Sequence, residues 1–339
     1  MSLLWIDGFE GYGTTPGGTP SPSGVIGRRY VVNQESNMDV ETGRISGYAL
    51  QFTTTSCLCQ TPALNTNATL IVGFAFKINE FDNNTLMQMM DGATLGMNLQ
   101  LMSSGEIRVR RGVTDLDTTS GLGLSINTWY WLEFKVLVNS TTGSYELRIG
   151  GTNVLSDSGI STQAGSNAYY DIVQLKAAAA YPYFDDFYIC NGAGSSNNDF
   201  LGDCHVTAIF PDGAGNSTDW TPSAGDNYAC VDENPVTDDT DYVESSTSTD
   251  KDLYSYGSCG SPTNIKGLQI NTDCRQTDAT SYDIITPIRS GSTDYDDSAQ
   301  TIGTTDYVTK RRIEEEDPDT SAAWTASGIN SAEFGIKVN

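Results

Sequence analysis

A single histidine, His205, stands in a chain of 339 residues. Serine and cysteine nucleophiles ordinarily draw on a histidine base. This one sits beside Cys204 on an expected strand, where neighbouring side chains diverge. His205 is therefore read as a satisfied or exposed side chain, and zinc sites of the usual Cys/His type are excluded. Basic residues are scarce as well. Lysine and arginine total 18 against 43 Asp plus Glu, a formal net charge of −25. Such a surface repels phosphate backbones, which argues against a nucleic-acid partner. Long apolar runs are missing: no stretch approaches the roughly 20 residues of a membrane-spanning helix. The opening segment, MSLLWIDGFEGYG, lacks the basic region and apolar core of a signal peptide and carries Asp7 and Glu10 instead. Synthesis in the cytoplasm is expected, with exit, if any, by a route such as lysis after assembly into a particle.

Almost no segment shows helical periodicity over three turns, and no repeat of the 20–50 residue kind is visible. The run Ala177–Ala180 is too short and is flanked by aromatic and strand-like residues. Seven cysteines are an odd set, and Cys57-x-Cys59 alone is no zinc signature. They are read as small, mostly buried hydrophobes. Pairs formed after release, Cys190 with Cys204 or Cys259 with Cys274, stay open.

What is abundant is the vocabulary of strands and turns. Hydrophobic residues reach only 38%, and 34 glycines accompany many Ser, Thr, Asn and Asp. Short alternating segments recur, among them 70–78, 106–110, 129–138 and 145–149. In Tyr145-Glu-Leu-Arg-Ile149, Tyr, Leu and Ile share one face while Glu146 and Arg148 take the other, as in a half-buried antiparallel strand. Asn139–Gly143 is a five-residue hairpin loop with a late glycine. The length predicts two domains. The small polar stretch after Cys190 divides them, giving a first domain over 1–192, a linker over 193–203 and a second domain over 204–339. Further strands are expected at 205–210, 265–270, 282–288, 307–313 and 333–338, with Trp220 and Trp324 as core or seam anchors. One short helix is expected over 324–332, with Asp317-Pro-Asp-Thr320 at its N-terminal side. The fold class is all-β, a larger sandwich followed by a smaller one.

Chemistry is sparse at this level. Retaining glycoside hydrolysis needs two carboxyls about 5 Å apart on one groove. The adjacent pair Asp185-Asp186 points to opposite faces of a regular strand. Glu314-Glu-Glu-Asp317 runs into Pro318 and reads as a solvated strand end. No catalytic residue is assigned. Oxygen-rich loops at Asp82-Asn-Asn84, Asp115-Leu-Asp117 and Asp294-Tyr-Asp-Asp297 are the calcium candidates, none with a fixed-spacing cation motif. The acidic stretch 232–241 reads as an exposed loop. The Asn-x-Thr triplets at Asn67, Asn83, Asn139 and Asn216 carry no weight without a secretory route.

Five segments in order carry a family likeness: Leu4–Phe9, Gly43–Phe52, Trp129–Phe134, Gly143–Gly151 and Phe184–Ile189. Together they resemble the concanavalin A-like (laminin G-like) jelly-roll domains over residues 1–192. Joined to the tail 324–338, the set is similar to structural proteins of tailed bacteriophage virions. That resemblance implies a non-enzymatic structural protein on the surface of a virus particle, tail-associated or fibre-like, adhering to host-surface glycans. A capsid decoration protein is the alternative, and a carbohydrate-active enzyme or free lectin the second. Implied partners are tail or major capsid subunits and further copies of the chain, as a trimer in a fibre, with no cofactor beyond a candidate Ca²⁺. Lectin-like sites stack an aromatic ring on the sugar, which singles out Tyr169, Tyr170, Tyr181 and Tyr183 as candidate glycan contacts, with core or subunit-interface tyrosines the favoured reading.

Overall fold

The computed structural model describes residues 2–13, 24–278 and 280–339. The chain divides into two compact units, Met1–Val206 and Thr207–Asn339. Residues 193–203, expected as a linker, fall inside the first. Both units are built from antiparallel strands, as the alternating segments require. No helix among the described residues is long and apolar enough to cross a membrane.

Among the described residues, the first unit contains fifteen strands. They begin with β1 (Leu3–Asp7), β2 (Val31–Asn33), β3 (Met38–Thr42), β4 (Tyr48–Phe52) and β5 (Leu58–Gln60). Then come β6 (Thr69–Lys77), β7 (Asn84–Asp91), β8 (Thr94–Leu101), β9 (Ile107–Arg111) and β10 (Thr114–Thr118). The last five are β11 (Tyr130–Leu137), β12 (Gly143–Ile149), β13 (Thr152–Ile160), β14 (Ile172–Lys176) and β15 (Tyr183–Asn191). One sheet runs β13-β12-β11-β6-β15-β4-β3, with β1 also pairing β15. The other runs β10-β9-β8-β7-β14-β5-β2. Sequence neighbours such as β11 and β12 are hairpins, whereas β6–β15 and β7–β14 join distant segments.

Two-residue alternation sorts the side chains. Phe52, Phe74, Phe76, Phe134 and Phe184 are fully buried. Phe184 meets Phe52 and Phe74 edge-to-face at 5.5 and 5.6 Å between centroids. Each such ring contributes about 1.5–3 kcal/mol through burial alone. The β11–β12 loop closes as an Asx turn, in which Asn139 Oδ1 accepts from the N–H groups of Thr141 and Thr142. The register of β15 slips between Asp185 and Tyr188, and Asp186 takes the left-handed conformation at φ 53°. That bulge reorients the Asp185-Asp186 pair.

In the second unit, Glu333–Val338 pairs Lys251–Tyr256 on one side and Asp283–Ile285 and Ile288–Ser290 on the other. Leu268–Cys274 and Val308–Glu314 form a separate ribbon. Its core gathers Ile288, Trp324, Ile329, Ala332 and Phe334. Trp324 is thus a core anchor, while Trp220 is half-buried and donates its indole N–H to Asp250 O at 3.1 Å. Two expectations shift. Residues 205–210 form no strand, the strand being Pro211–Thr218. The helix covers Ala326–Ser331 and is capped by Thr325, whose side chain accepts from Gly328 N, and not by the segment at 317–320.

Candidate functional site

The second sheet of the first unit carries an organised polar face. Its inward row, Cys59–Leu175–Met87–Leu99–Val109, is fully buried apolar core. The residues next to these in each strand face the other way. There, strand pairing aligns Gln60 with Gln174, Gln174 with Gln88, Gln88 with Asn98, Asn98 with Arg110, and Arg110 with Asp115. Six polar side chains therefore form one line across β5, β14, β7, β8, β9 and β10. Five strand spacings make it about 24 Å long. A second row lies beside it: Thr85 opposite Gln100, Gln100 opposite Arg108, and Arg108 opposite Thr118. Lys176 stands two residues beyond Gln174 on the same face of β14.

The hydrogen bonds within the face leave it partly unsatisfied. Gln174 donates to Gln60 Oε1 at 2.7 Å, and Asn98 Nδ2 donates to the carbonyls of Gly96 and Gly112. Gln88, only 8% exposed, takes no side-chain partner among the described residues. Arg108 Nε is buried and likewise unpartnered. A buried donor left unpaired, as Arg108 Nε is, costs free energy that an acceptor placed beside it would recover. Charge adds to this. Arg108, Arg110 and Lys176 concentrate cations on a chain of net charge −25. One carboxylate, Asp115, sits between the two guanidiniums, 2.8 Å from Arg108 Nη1 and 2.7 Å from Arg110 Nε.

None of the four tyrosines expected to contact sugar stands on this row. Tyr170 is 1% exposed and donates to Thr162 O at 2.5 Å, so its ring is core, the favoured reading, and it is no candidate for sugar stacking. Burial pushes its hydroxyl well above the usual tyrosine range. Tyr169 and Tyr181 are half-buried. Tyr183 is half-buried on the other sheet, where Lys77 Nζ lies 3.9 Å from its ring centroid and 4.9 Å from that of Trp129. The signal for the polar row lay in the central strands themselves, where Gln88, Asn98 and Gln174 interrupt otherwise apolar segments.

The carboxylates behave differently from the strand rule. Asp185 and Asp186 do not diverge, because the bulge turns both toward the loop at 43–47. Asp185 Oδ2 accepts from Arg44 N at 2.7 Å, and Asp186 Oδ2 accepts from Arg44 Nε at 2.9 Å. Both are fully buried, so neither lines an open groove. Burial, then the charge of Asp186, pushes the Asp185 carboxyl up to about 7. Burial, then the charge of Asp185, pushes Glu10 up to about 10.

The oxygen-rich loops carry hydrogen bonds and ion pairs of their own. Asn84 Oδ1 accepts from Ala178 N and Ala179 N, and Asp82 accepts from Asn83 N. Asp115 pairs with the two arginines, Asp294 with Lys251 and Arg289, and Asp296 with Lys337. Among the described residues, no group of three or more His, Cys, Asp or Glu could hold a metal ion.

No protein-family model and no curated protein sequence matches the chain. Solved structures do. An endo-β-1,4-glucuronan lyase from Trichoderma reesei is similar at 11% identity and TM-score 0.38, over 47% of this chain and 90% of that one. An alginate lyase in complex with alginate trisaccharide is similar at 13% identity and TM-score 0.39, over 56% and 97%. A Trypanosoma rangeli sialidase gives 10% identity and TM-score 0.35, and the match spans 30% of its length. None of these is a bacteriophage protein. The expectation of a non-enzymatic chain is withdrawn, because the similar structures are lyases and a sialidase. None of them assigns an activity to this chain.

Proposed function

We propose that the first unit binds an extended acidic glycan along the polar face of its second sheet. The observation that carries this reading is the aligned row Gln60–Gln174–Gln88–Asn98–Arg110, with an unpartnered amide at its centre. Gln88, the amide without a side-chain partner, suits a sugar hydroxyl, since an amide both donates and accepts. Arg108 and Arg110 suit carboxylate or sulfate groups through charge-assisted, forked hydrogen bonds. The rigid sheet holds these groups in register before a ligand arrives, which limits the ordering entropy lost on binding.

The test is calorimetric titration with oligosaccharides of a polyuronate and of a neutral glucan. Wild-type protein is expected to bind the acidic series more tightly. Gln88→Ala removes about one net hydrogen bond, roughly 1 kcal/mol or about fivefold in Kd. Gln88 makes no side-chain hydrogen bond or ion pair among the described residues, so this variant is expected to keep its melting temperature within a few degrees. Equal affinity of Gln88→Ala and wild type for every glycan that binds would rule out this face.

A further inference from the structure

The chain's one histidine is not idle. The bulge in β15 aims Asp186 at a segment 19 residues further on, and His205 Nδ1 lies 2.8 Å from Asp186 Oδ1. On the other side of the ring, His205 Nε2 lies 3.0 Å from Ser46 Oγ. Burial is graded along this line. Asp186 is 0% exposed, the His205 side chain is 25% exposed, and Ser46 is exposed. We propose that Ser46, His205 and Asp186 form a nucleophile–base–carboxylate relay that hydrolyses small, exposed acyl esters.

Each member is held for its role. Asp186 Oδ1 also accepts from Val206 N at 2.8 Å, and Oδ2 accepts from Arg44 Nε at 2.9 Å. The carboxylate is therefore held in place, and in the tautomer whose Nδ1 donates to it, Nε2 is left to accept from the serine hydroxyl. Arg44 is anchored in turn by Asp203 at 2.5 Å and by Cys204 O at 2.7 Å, which pins the segment that carries the ring. Ser46 sits in the turn between β3 and β4, which Gly47 completes at φ 67°. The backbone N–H groups of Ser46 and Gly47 have no acceptor among the described residues. Two donors thus stand within one residue of the hydroxyl, available to an oxyanion.

The chemistry balances without a cofactor. Ser46 Oγ adds to the ester carbonyl carbon as its proton passes to His205 Nε2. The carbon–oxygen bond to the alcohol breaks, and the alcohol departs with that proton. Water then attacks the acyl-serine with His205 as base, releasing the carboxylic acid and restoring Ser46. The groups facing His205 are Asp186, Asp185 and Arg44. The hydrogen bond to Asp186, ahead of the opposing effect of burial, holds the ring's pKa above its usual 6.5. Reactivity is therefore expected to rise with pH through that raised value.

The experiment uses the full chain with a fluorophosphonate probe, which expels fluoride and leaves a phosphonyl group on an activated serine, followed by peptide mass mapping. The expected result is a label on Ser46, absent in Ser46→Ala, and at least about 100-fold slower in His205→Asn. Ser46 is exposed, so Ser46→Ala is expected to melt with wild type. Hydrolysis of p-nitrophenyl acetate should fall in parallel. Labelling of Ser46 no faster than of other exposed serines, or at an unchanged rate in His205→Asn, would overturn the proposal.

Discussion

Asp115 offers the sharpest test of whether charge governs the polar face. It is half exposed, and it holds Arg108 and Arg110 at 2.8 and 2.7 Å. In Asp115→Asn the shape stays and the counter-charge goes. Exposed ion pairs of this kind contribute about 0–1 kcal/mol to stability, so the melting temperature should fall by only a few degrees. For an acidic ligand the change acts in the opposite sense. A bound carboxylate about 4 Å from Asp115 would meet a repulsion of roughly 1 kcal/mol in water-like dielectric. Its removal should tighten binding about fivefold at low salt. The gain should shrink as ionic strength rises and the screening length falls below about 10 Å. A neutral glucan should bind Asp115→Asn and wild type alike. Titration of both ligands at two salt concentrations checks all of this. Weaker acidic-glycan binding in Asp115→Asn would refute the charge argument, and would mean that Asp115 serves mainly to orient the two guanidiniums.

Two further outcomes follow from the buried carboxylates. Arg44→Ala removes the cation that contacts fully buried Asp186 and should destabilise the first unit by about 3–5 kcal/mol, read as a lowered denaturant midpoint. The pH dependence has a definite sign. Asp185 and Glu10 hold their protons more tightly when folded, to about 7 and about 10, so the folded state binds more protons than the unfolded one above the usual carboxylate range. Stability from these groups is complete below about pH 4 and is lost as pH rises through the folded values. His205, also raised, acts in the same direction from about 6.5 upward. Thermal melting of the first unit should therefore occur at a lower temperature at pH 8 than at pH 5. Asp185→Asn should flatten that slope, and a melting temperature rising from pH 5 to 8 would contradict the burial argument.

Much of the fold was legible in the order of residues because alternation is a local property. The segments at 70–78, 129–138 and 145–149 each reappear as strands within a residue or two, since a two-residue period with turn residues at its ends admits few other structures. The Asn139 turn and the strand at 333–338 were equally readable, and for the same reason. Strand order was not. Pairing of β14 with β7, or β15 with β6, joins segments about a hundred residues apart, and nothing local encodes such a partner.

The site shows the same division more sharply. The sequence by itself determined that amides and arginines interrupt the apolar central strands, that acid far exceeds base, and that only one histidine exists. Tertiary structure decided what those residues become. Antiparallel register lines up Gln60, Gln174, Gln88, Asn98 and Arg110 from five strands. A one-residue slip in any of them would send its side chain into the core. A single left-handed residue, Asp186, breaks the rule that neighbours on a strand diverge, and so brings its carboxylate to His205 and, through it, to Ser46. The three lie up to 159 residues apart in the chain, and only folding makes them neighbours.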